Sequence, residues 1–173
     1  FQSWWAQKPM AHIYGHSWPV RWGDAGEQKM VKVYSNCEDA ELFVNGKSYG
    51  LMKRNGQDFP AAGLRWNVVY NVGENVLKVV ARKGDATVTD EIKQTCQTEK
   101  WGAPSKLVLT KISQEGDIAT LLVKLLDAKN VLCLDARNLV TFGLTGDGKV
   151  IDNQGTSTGS RSVELYNGRA IIR

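Results

Sequence analysis

Two histidines, His12 and His16, stand four residues apart. On a helix that spacing would put both imidazoles on one face, where they could share a metal ion. Gly15 lies between them and Pro19 follows, so a helix is not expected here. No Glu sits beside His12 to serve as a general base, and no third ligand stands nearby in the sequence. The pair is therefore read as loop histidines packed against Trp18 and Trp22, and no metal site is assigned. Residues 143–149 (GLTGDGK) have the spacing of a phosphate-binding loop. Val150 stands where such a loop needs Ser or Thr for magnesium, and the residues after it read as strand and turn rather than helix. This segment is read as a hairpin loop, with no nucleotide cofactor. No Gly-x-Ser-x-Gly elbow occurs; Thr158-Gly159-Ser160-Arg161 falls in a polar loop. Glycoside cleavage by paired carboxylates needs a rigid cleft, and Glu38-Asp39, Asp90-Glu91 and Asp117 are placed at strand ends and turns, where acids are solvated. No catalytic, cofactor-binding or metal-ligating residue is assigned.

The aromatic residues carry more. Trp18, Trp22, Trp66 and Tyr70 could offer a sugar a flat stacking platform. Against that, Trp66 shares a phase with Leu64 and Val68, which places it in a core, as in sandwich domains that bury one Trp. Trp4, Trp5, Trp18 and Trp22 lie before or at the start of the first strands, where a small sandwich has little interior to give them. They are assigned to an interface.

Positioning these residues falls to strands. From Lys29 onward the hydrophobic period is two: Val31 and Val33, Leu42 and Val44, Leu64 to Tyr70, and Leu77, Val79 and Ala81 each share a face. Hairpin signals stand at Asn45-Gly46, Asn55-Gly56, Gly84-Asp85 and Asn167-Gly168. Residues 97–105 (QTEKWGAPS) punctuate two strand-rich halves. After them, Leu107 and Leu109 face one way and Val108 and Ile112 the other. Ile118 to Leu126, Val131 to Leu134 and Leu139 to Leu144 read as further strands, and residues 155–162 as a small polar loop. Short strands with turns every 8–12 residues are the expected signature of a sandwich. The predicted fold is all-β: two tandem immunoglobulin-like β-sandwiches, the second truncated. Residues 1–12 form a helix tail and connector, 13–98 the first sandwich and 99–173 the second.

Composition agrees with a globular chain: 173 residues, 42% hydrophobic, net charge +4. The basic residues are scattered, which argues against a nucleic-acid groove. No apolar run approaches the roughly 18 residues of a membrane span. The start, Phe1-Gln2-Ser3-Trp4-Trp5, has neither the basic opening of a signal peptide nor a Met, and is read as the start of an excised piece. Three cysteines leave an odd number: Cys37 and Cys96 could bridge within one half, but three buried thiols is the simpler reading.

A family resemblance follows from these segments. Residues 9–19 (PMAHIYGHSWP) resemble the junction after the catalytic barrel in glycoside hydrolase family 2, the β-galactosidase and β-glucuronidase group. Residues 31–48 (VKVYSNCEDAELFVNGKS) look very like that family's first C-terminal sandwich. Residues 101–107 (WGAPSKL) resemble the opening of a second, invasin-like sandwich, and 139–150 (LVTFGLTGDGKV) are similar to its glycine-bearing hairpin. The resemblance covers nearly the whole chain, most strongly over 9–83 and less so over 101–155. It departs near Asp152-Asn153-Gln154-Gly155, and the chain ends before the strand that usually closes the second module. The family's acid/base and nucleophile are Glu residues of the barrel, so the resemblance transfers no catalytic residue to this chain. It implies non-catalytic modules whose partner is the barrel, in a secreted or periplasmic enzyme. Residues 1–8 would be the tail of the barrel's last helix. Trp4, Trp5, His16, Trp18 and Trp22 would meet the barrel or shape its substrate entrance. A carbohydrate-binding module in contact with glycans, or an adhesion-type domain, are the readings from other classes.

Overall fold

The computed structural model describes residues 2–55, 63–151 and 161–173. The chain is all-β apart from one helical turn, α1 (Gln2–Trp5), and it divides into two compact units, 1–98 and 99–173. Among the described residues no helix is long and apolar enough to cross a membrane.

The first unit holds β1 (Ala11–Ile13), β2 (Val20–Trp22), β3 (Gln28–Ser35), β4 (Asp39–Val44), β5 (Lys47–Lys53), β6 (Leu64–Val69), β7 (Gly73–Lys83) and β8 (Ala86–Gln97). They form a three-stranded sheet, β1-β3-β6, and a five-stranded sheet, β2-β8-β7-β4-β5. The alternation seen in the sequence is the alternation of burial. Val31, Val33, Trp66 and Val68 from the smaller sheet meet Ala40, Leu42, Val44, Leu77, Val79, Ala81, Ile92 and Cys96 from the larger in one core. Two sheets enclosing one core is a β-sandwich. Trp66 is 2% exposed, and its indole N–H donates to the Gly50 carbonyl at 3.0 Å. The β4–β5 turn is the predicted Asn-Gly type: Asn45 and Gly46 have φ of 52° and 81°. Gly84-Asp85 closes the β7–β8 hairpin, where Lys83 pairs with Ala86. Gly56 of the third hairpin signal lies outside the described residues.

The second unit holds β9 (Pro104–Glu115), β10 (Ile118–Asp127), β11 (Leu139–Thr141), β12 (Ser162–Glu164) and β13 (Arg169–Ile172). Their sheets are β13-β10-β9 and the pair β11-β12. Val123, Leu125, Cys133, Ala136, Val140, Leu165 and Ala170 form its core. Asn167 and Gly168, at φ of 52° and 66°, make the predicted turn before β13.

Several expectations for this unit change. Residues 143–149 form no hairpin: β11 stops at Thr141 and pairs with β12, so its partner lies beyond that segment. Val131 to Leu134 forms no full strand: it returns beside the end of β10 through one isolated bridge, Leu126 to Leu132, after a tight turn at 128–130. Asp127 closes it, its Oδ1 accepting the amides of Lys129 and Val131, both at 2.8 Å. β9 was expected to be half-buried, yet every one of its residues is exposed. It is the edge strand of its sheet, and its apolar residues fall on both of its faces. Most of the polar loop at 155–162 lies outside the described residues. Cys37, Cys96 and Cys133 are buried free thiols, as the simpler reading had it.

Candidate functional site

The turn between β1 and β2 carries His16 and Trp18, and β1 itself carries His12. These residues adopt no helix. β1 pairs antiparallel with β3, His12 opposite Tyr34, while β2 runs parallel to β8, with Val20 opposite Thr95. The chain between them must cross from one sheet to the other. Gly15 permits this with φ of 134°, and the Trp18 amide donates to the Gly15 carbonyl at 2.8 Å.

Asp90 of β8 meets this turn from the far side of the sequence. Its Oδ2 accepts the Ile13 amide at 2.7 Å and the His16 Nε2–H at 2.8 Å, and lies 3.8 Å from His12 Nδ1. The two imidazoles stack, with ring centroids 4.6 Å apart and planes 8° from parallel. Burial acts to raise the Asp90 carboxyl. The His16 and Ile13 hydrogen bonds, with the nearby imidazoles, outweigh it and hold the group below the usual carboxylate value. One ligand atom from each of His12, His16 and Asp90 lies within 4.8 Å of the others. The sequence reading lacked this third group, because Asp90 is 74 residues from His16 and was placed among solvated strand-end acids. It sits instead inside β8, in phase with Ile92, Gln94 and Cys96. An acid on the apolar phase of a strand was the signal that could have found it.

Polar side chains fix the segment around the site. Gln94, 2% exposed, donates from Nε2 to the carbonyls of Trp18 at 2.9 Å and Gly15 at 3.3 Å. Its Oε1 accepts the Tyr70 hydroxyl at 2.6 Å. Burial pushes that phenol up, against the opposing charge of Arg21. Further back, Asn36 donates to the Ala6 and Lys8 carbonyls at 2.7 and 2.8 Å and accepts the Met10 amide at 2.8 Å. Neither Gln94 nor Asn36 was singled out from sequence. On the surface, Tyr14 stands edge-on to Trp18, with centroids 5.0 Å apart, and Lys32 Nζ lies 5.9 Å from the Tyr14 ring.

Of the remaining aromatic candidates, Trp5 ends α1 and is 74% exposed. Trp22 ends β2 at 43% exposure, its carbonyl taking a hydrogen bond from the buried Lys29 ammonium at 3.1 Å. Trp4 lies in α1 and its side chain is outside the described residues. Trp66 and Tyr70 are core residues and present no face to a ligand, so the four-membered stacking platform is not formed.

Residues 26–89 match a family described as a domain of unknown function (DUF4982). A β-galactosidase of Bacteroides ovatus is 33% identical over 160 residues, 88% of this chain and 17% of that protein. The crystal structure of a Parabacteroides merdae β-glucuronidase superposes with a TM-score of 0.91 at 51% identity, covering 99% of this chain and 22% of that one. A glycosyl hydrolase family 2 member from Bacteroides cellulosilyticus superposes over 99% of this chain and 26% of its own, with a TM-score of 0.53 at 25% identity. The chain spans about a fifth of the length of the curated relatives it matches, 17% of one and 21% of another.

Proposed function

This chain belongs to glycoside hydrolase family 2, and from that premise we propose that it works as non-catalytic C-terminal β-sandwich modules of a β-glucuronidase-like enzyme. The observation that carries the reading is 51% identity over 99% of this chain to a β-glucuronidase of which it matches 22%. In this reading the two units are tandem immunoglobulin-like sandwiches that support a catalytic barrel, and residues 1–12 connect them to it. The parent enzyme cleaves β-glucuronides outside the cytoplasm, in the periplasm or after secretion.

Trp4, Trp5 and Trp22 belong to the surface facing that barrel, and the turn with His16 and Trp18 reaches the rim of its substrate entrance. Two features support this. Trp5 and Trp22 are large and exposed, which is unfavourable for an isolated surface. The turn is fixed by buried Gln94 and by Asp90, so its exposed tip has a defined position. The carbohydrate-binding alternative loses Trp66 and Tyr70, both buried in the core.

The test is a chimaera in which this chain replaces the matching segment of the Parabacteroides merdae β-glucuronidase. The isolated 173-residue chain is expected to leave nitrophenyl glucuronide intact, whereas the chimaera cleaves it. Turnover by the isolated chain above a heat-killed control overturns the non-catalytic assignment. In the chimaera, His16→Ala with Trp18→Ala is expected to lower kcat/KM for extended glucuronides and spare the nitrophenyl substrate. Unchanged kcat/KM on both substrates removes the entrance role.

A further inference from the structure

We propose that His12, His16 and Asp90 bind one divalent transition-metal ion, zinc being the ion of choice, which fastens the turn between β1 and β2 to β8. The two imidazole nitrogens and one carboxylate oxygen all lie within 4.8 Å of one another. Tetrahedral zinc holds nitrogen and oxygen at about 2.0–2.2 Å, which puts its ligand atoms roughly 3.3 Å apart. His16 Nε2 and His12 Nδ1 stand 2.8 and 3.8 Å from Asp90 Oδ2, and a shared ion requires the two stacked imidazoles, whose planes are 8° from parallel, to rotate out of the stack so that both nitrogens face it.

The donor set selects the metal. Two imidazoles with one carboxylate suit zinc and its transition-metal neighbours, whereas calcium and magnesium take oxygen ligands. Asp90 is held by the Ile13 amide, which is the outer hydrogen bond that orients ligating carboxylates in metal sites. The backbone under His16 is held by Gln94 through the Gly15 and Trp18 carbonyls, and Gln94 by Tyr70. Both imidazoles are about half exposed, at 48% and 44% of their side-chain surface, so they have room to turn and water can complete the coordination. The three ligands come from β1, from the turn and from β8, so an ion there closes a loop of 78 residues between His12 and Asp90. An ion that binds only the folded chain raises its melting temperature by mass action.

The test is titration of zinc chloride into the 173-residue chain, by calorimetry and by thermal melting. One zinc per chain and a rise in the first unit's melting temperature are expected, with no rise in magnesium or calcium. His12→Ala, His16→Ala and Asp90→Asn should each weaken zinc binding by about tenfold or more. Asn at 90 keeps an oxygen for the Ile13 amide, and the two histidines are exposed, so the apo melting temperatures of these variants report whether the fold is intact. Cobalt should give the visible absorption of a four-coordinate nitrogen and oxygen site, absent in the His12→Ala/His16→Ala double variant. Zinc affinity unchanged in that double variant, an equal shift with calcium, or no zinc binding by the parent chain overturns the proposal. Each readout concerns the isolated chain, so the result is independent of whether the turn shapes a glucuronidase entrance.

Discussion

Asn75 is the most demanding polar residue in the first unit, and replacing it with leucine tests how that sandwich is held at one end. The side chain is fully buried and uses its whole hydrogen-bonding capacity. Nδ2 donates to the carbonyls of Asn71 at 2.8 Å and Gly73 at 2.9 Å, while Oδ1 accepts the Asn71 amide and the Asn45 side-chain amide, each at 2.8 Å. Asn45 in turn accepts the Val76 amide at 2.9 Å, so the β6–β7 and β4–β5 turns are joined through two asparagines. Leucine matches the branching of asparagine but is larger, so at this fully buried position Asn75→Leu adds an overpacking cost to the loss of the polar contacts, and those contacts set the minimum cost. Asn45 is exposed and can turn its amide to water, so three bonds to main-chain groups remain to be counted. At about 1 kcal/mol net each, their loss costs about 3 kcal/mol. For a unit of about 100 residues, 1 kcal/mol moves the melting temperature by about 4–8 °C, so a fall of at least about 12 °C is expected. Differential scanning calorimetry of the whole chain, with hydrogen exchange at the Asn71 and Val76 amides to identify the unit, makes the measurement. A leucine variant that melts with the parent chain, with both amides equally protected, would refute the reasoning that this network stabilises the sandwich.

Trp66→Ala removes a core indole and its bond to Gly50, should cost about 3–5 kcal/mol, and is expected to unfold the first unit in a chemical denaturation series. Trp66→Phe should recover most of that loss, and equal loss in both variants would show that packing is not the dominant contribution. In the second unit, a Cβ at Gly168 would sit 2.6 Å from the Cys133 carbonyl oxygen, on a backbone with φ of 66°. Gly168→Ala should therefore cost at least about 1–2 kcal/mol from the left-handed conformation alone, read as a lower melting temperature for that unit. Hydrogen bonds from the Gly102 and Val131 amides, with that of Lys129, hold the Asp127 carboxyl below its ordinary value. A depressed folded value gives stability that is complete above the unfolded value and drains as pH falls through the folded one. The second unit should thus melt progressively lower below about pH 4, and Asp127→Asn should melt lower at neutral pH with a flatter acid profile.

The strands of the first core were legible because they are long enough for a period of two to show. Val31, Val33, Leu42, Val44, Trp66, Val68, Leu77 and Val79 all fall on the buried phase. The Asn45-Gly46 and Asn167-Gly168 turns were legible because positive φ at two successive residues selects that dipeptide. β1 and β2 were not, since three residues cannot display a period, and both are strands only through their partners β3 and β8. β9 misled in the other direction. Its apolar residues fall on both phases, Leu107 and Leu109 opposite Val108, and an edge strand leaves both phases exposed among the described residues. The site was legible only in part. His16 and Trp18 do share one turn, but its third group comes from β8, and no spacing rule links residues 16 and 90.

The placement of that turn follows from how the first nineteen residues are held. Little of the segment is apolar core: Ile13 is its fully buried aliphatic residue among those described. Beside the main-chain pairing of β1 with β3, several of its main-chain groups go to side chains of the rest of the unit. Asn36 takes Ala6, Lys8 and Met10; Ser35 takes the Met10 carbonyl; Asp90 takes Ile13; Gln94 takes Gly15 and Trp18. Hydrophobic burial tolerates a shift along the chain, because one apolar residue can replace another at similar cost. A buried amide or carboxylate does not, because a shift strands a polar atom without its partner. The segment is therefore held in one register rather than merely attached. Buried Gln94 lies on β8 and buried Asn36 in the link just after β3, while the turn between β1 and β2 crosses from one sheet to the other. A tip carrying exposed His16 and half-exposed Trp18 is thereby set at a fixed place on a rigid frame, which any contact with a sugar, a barrel rim or a metal ion requires.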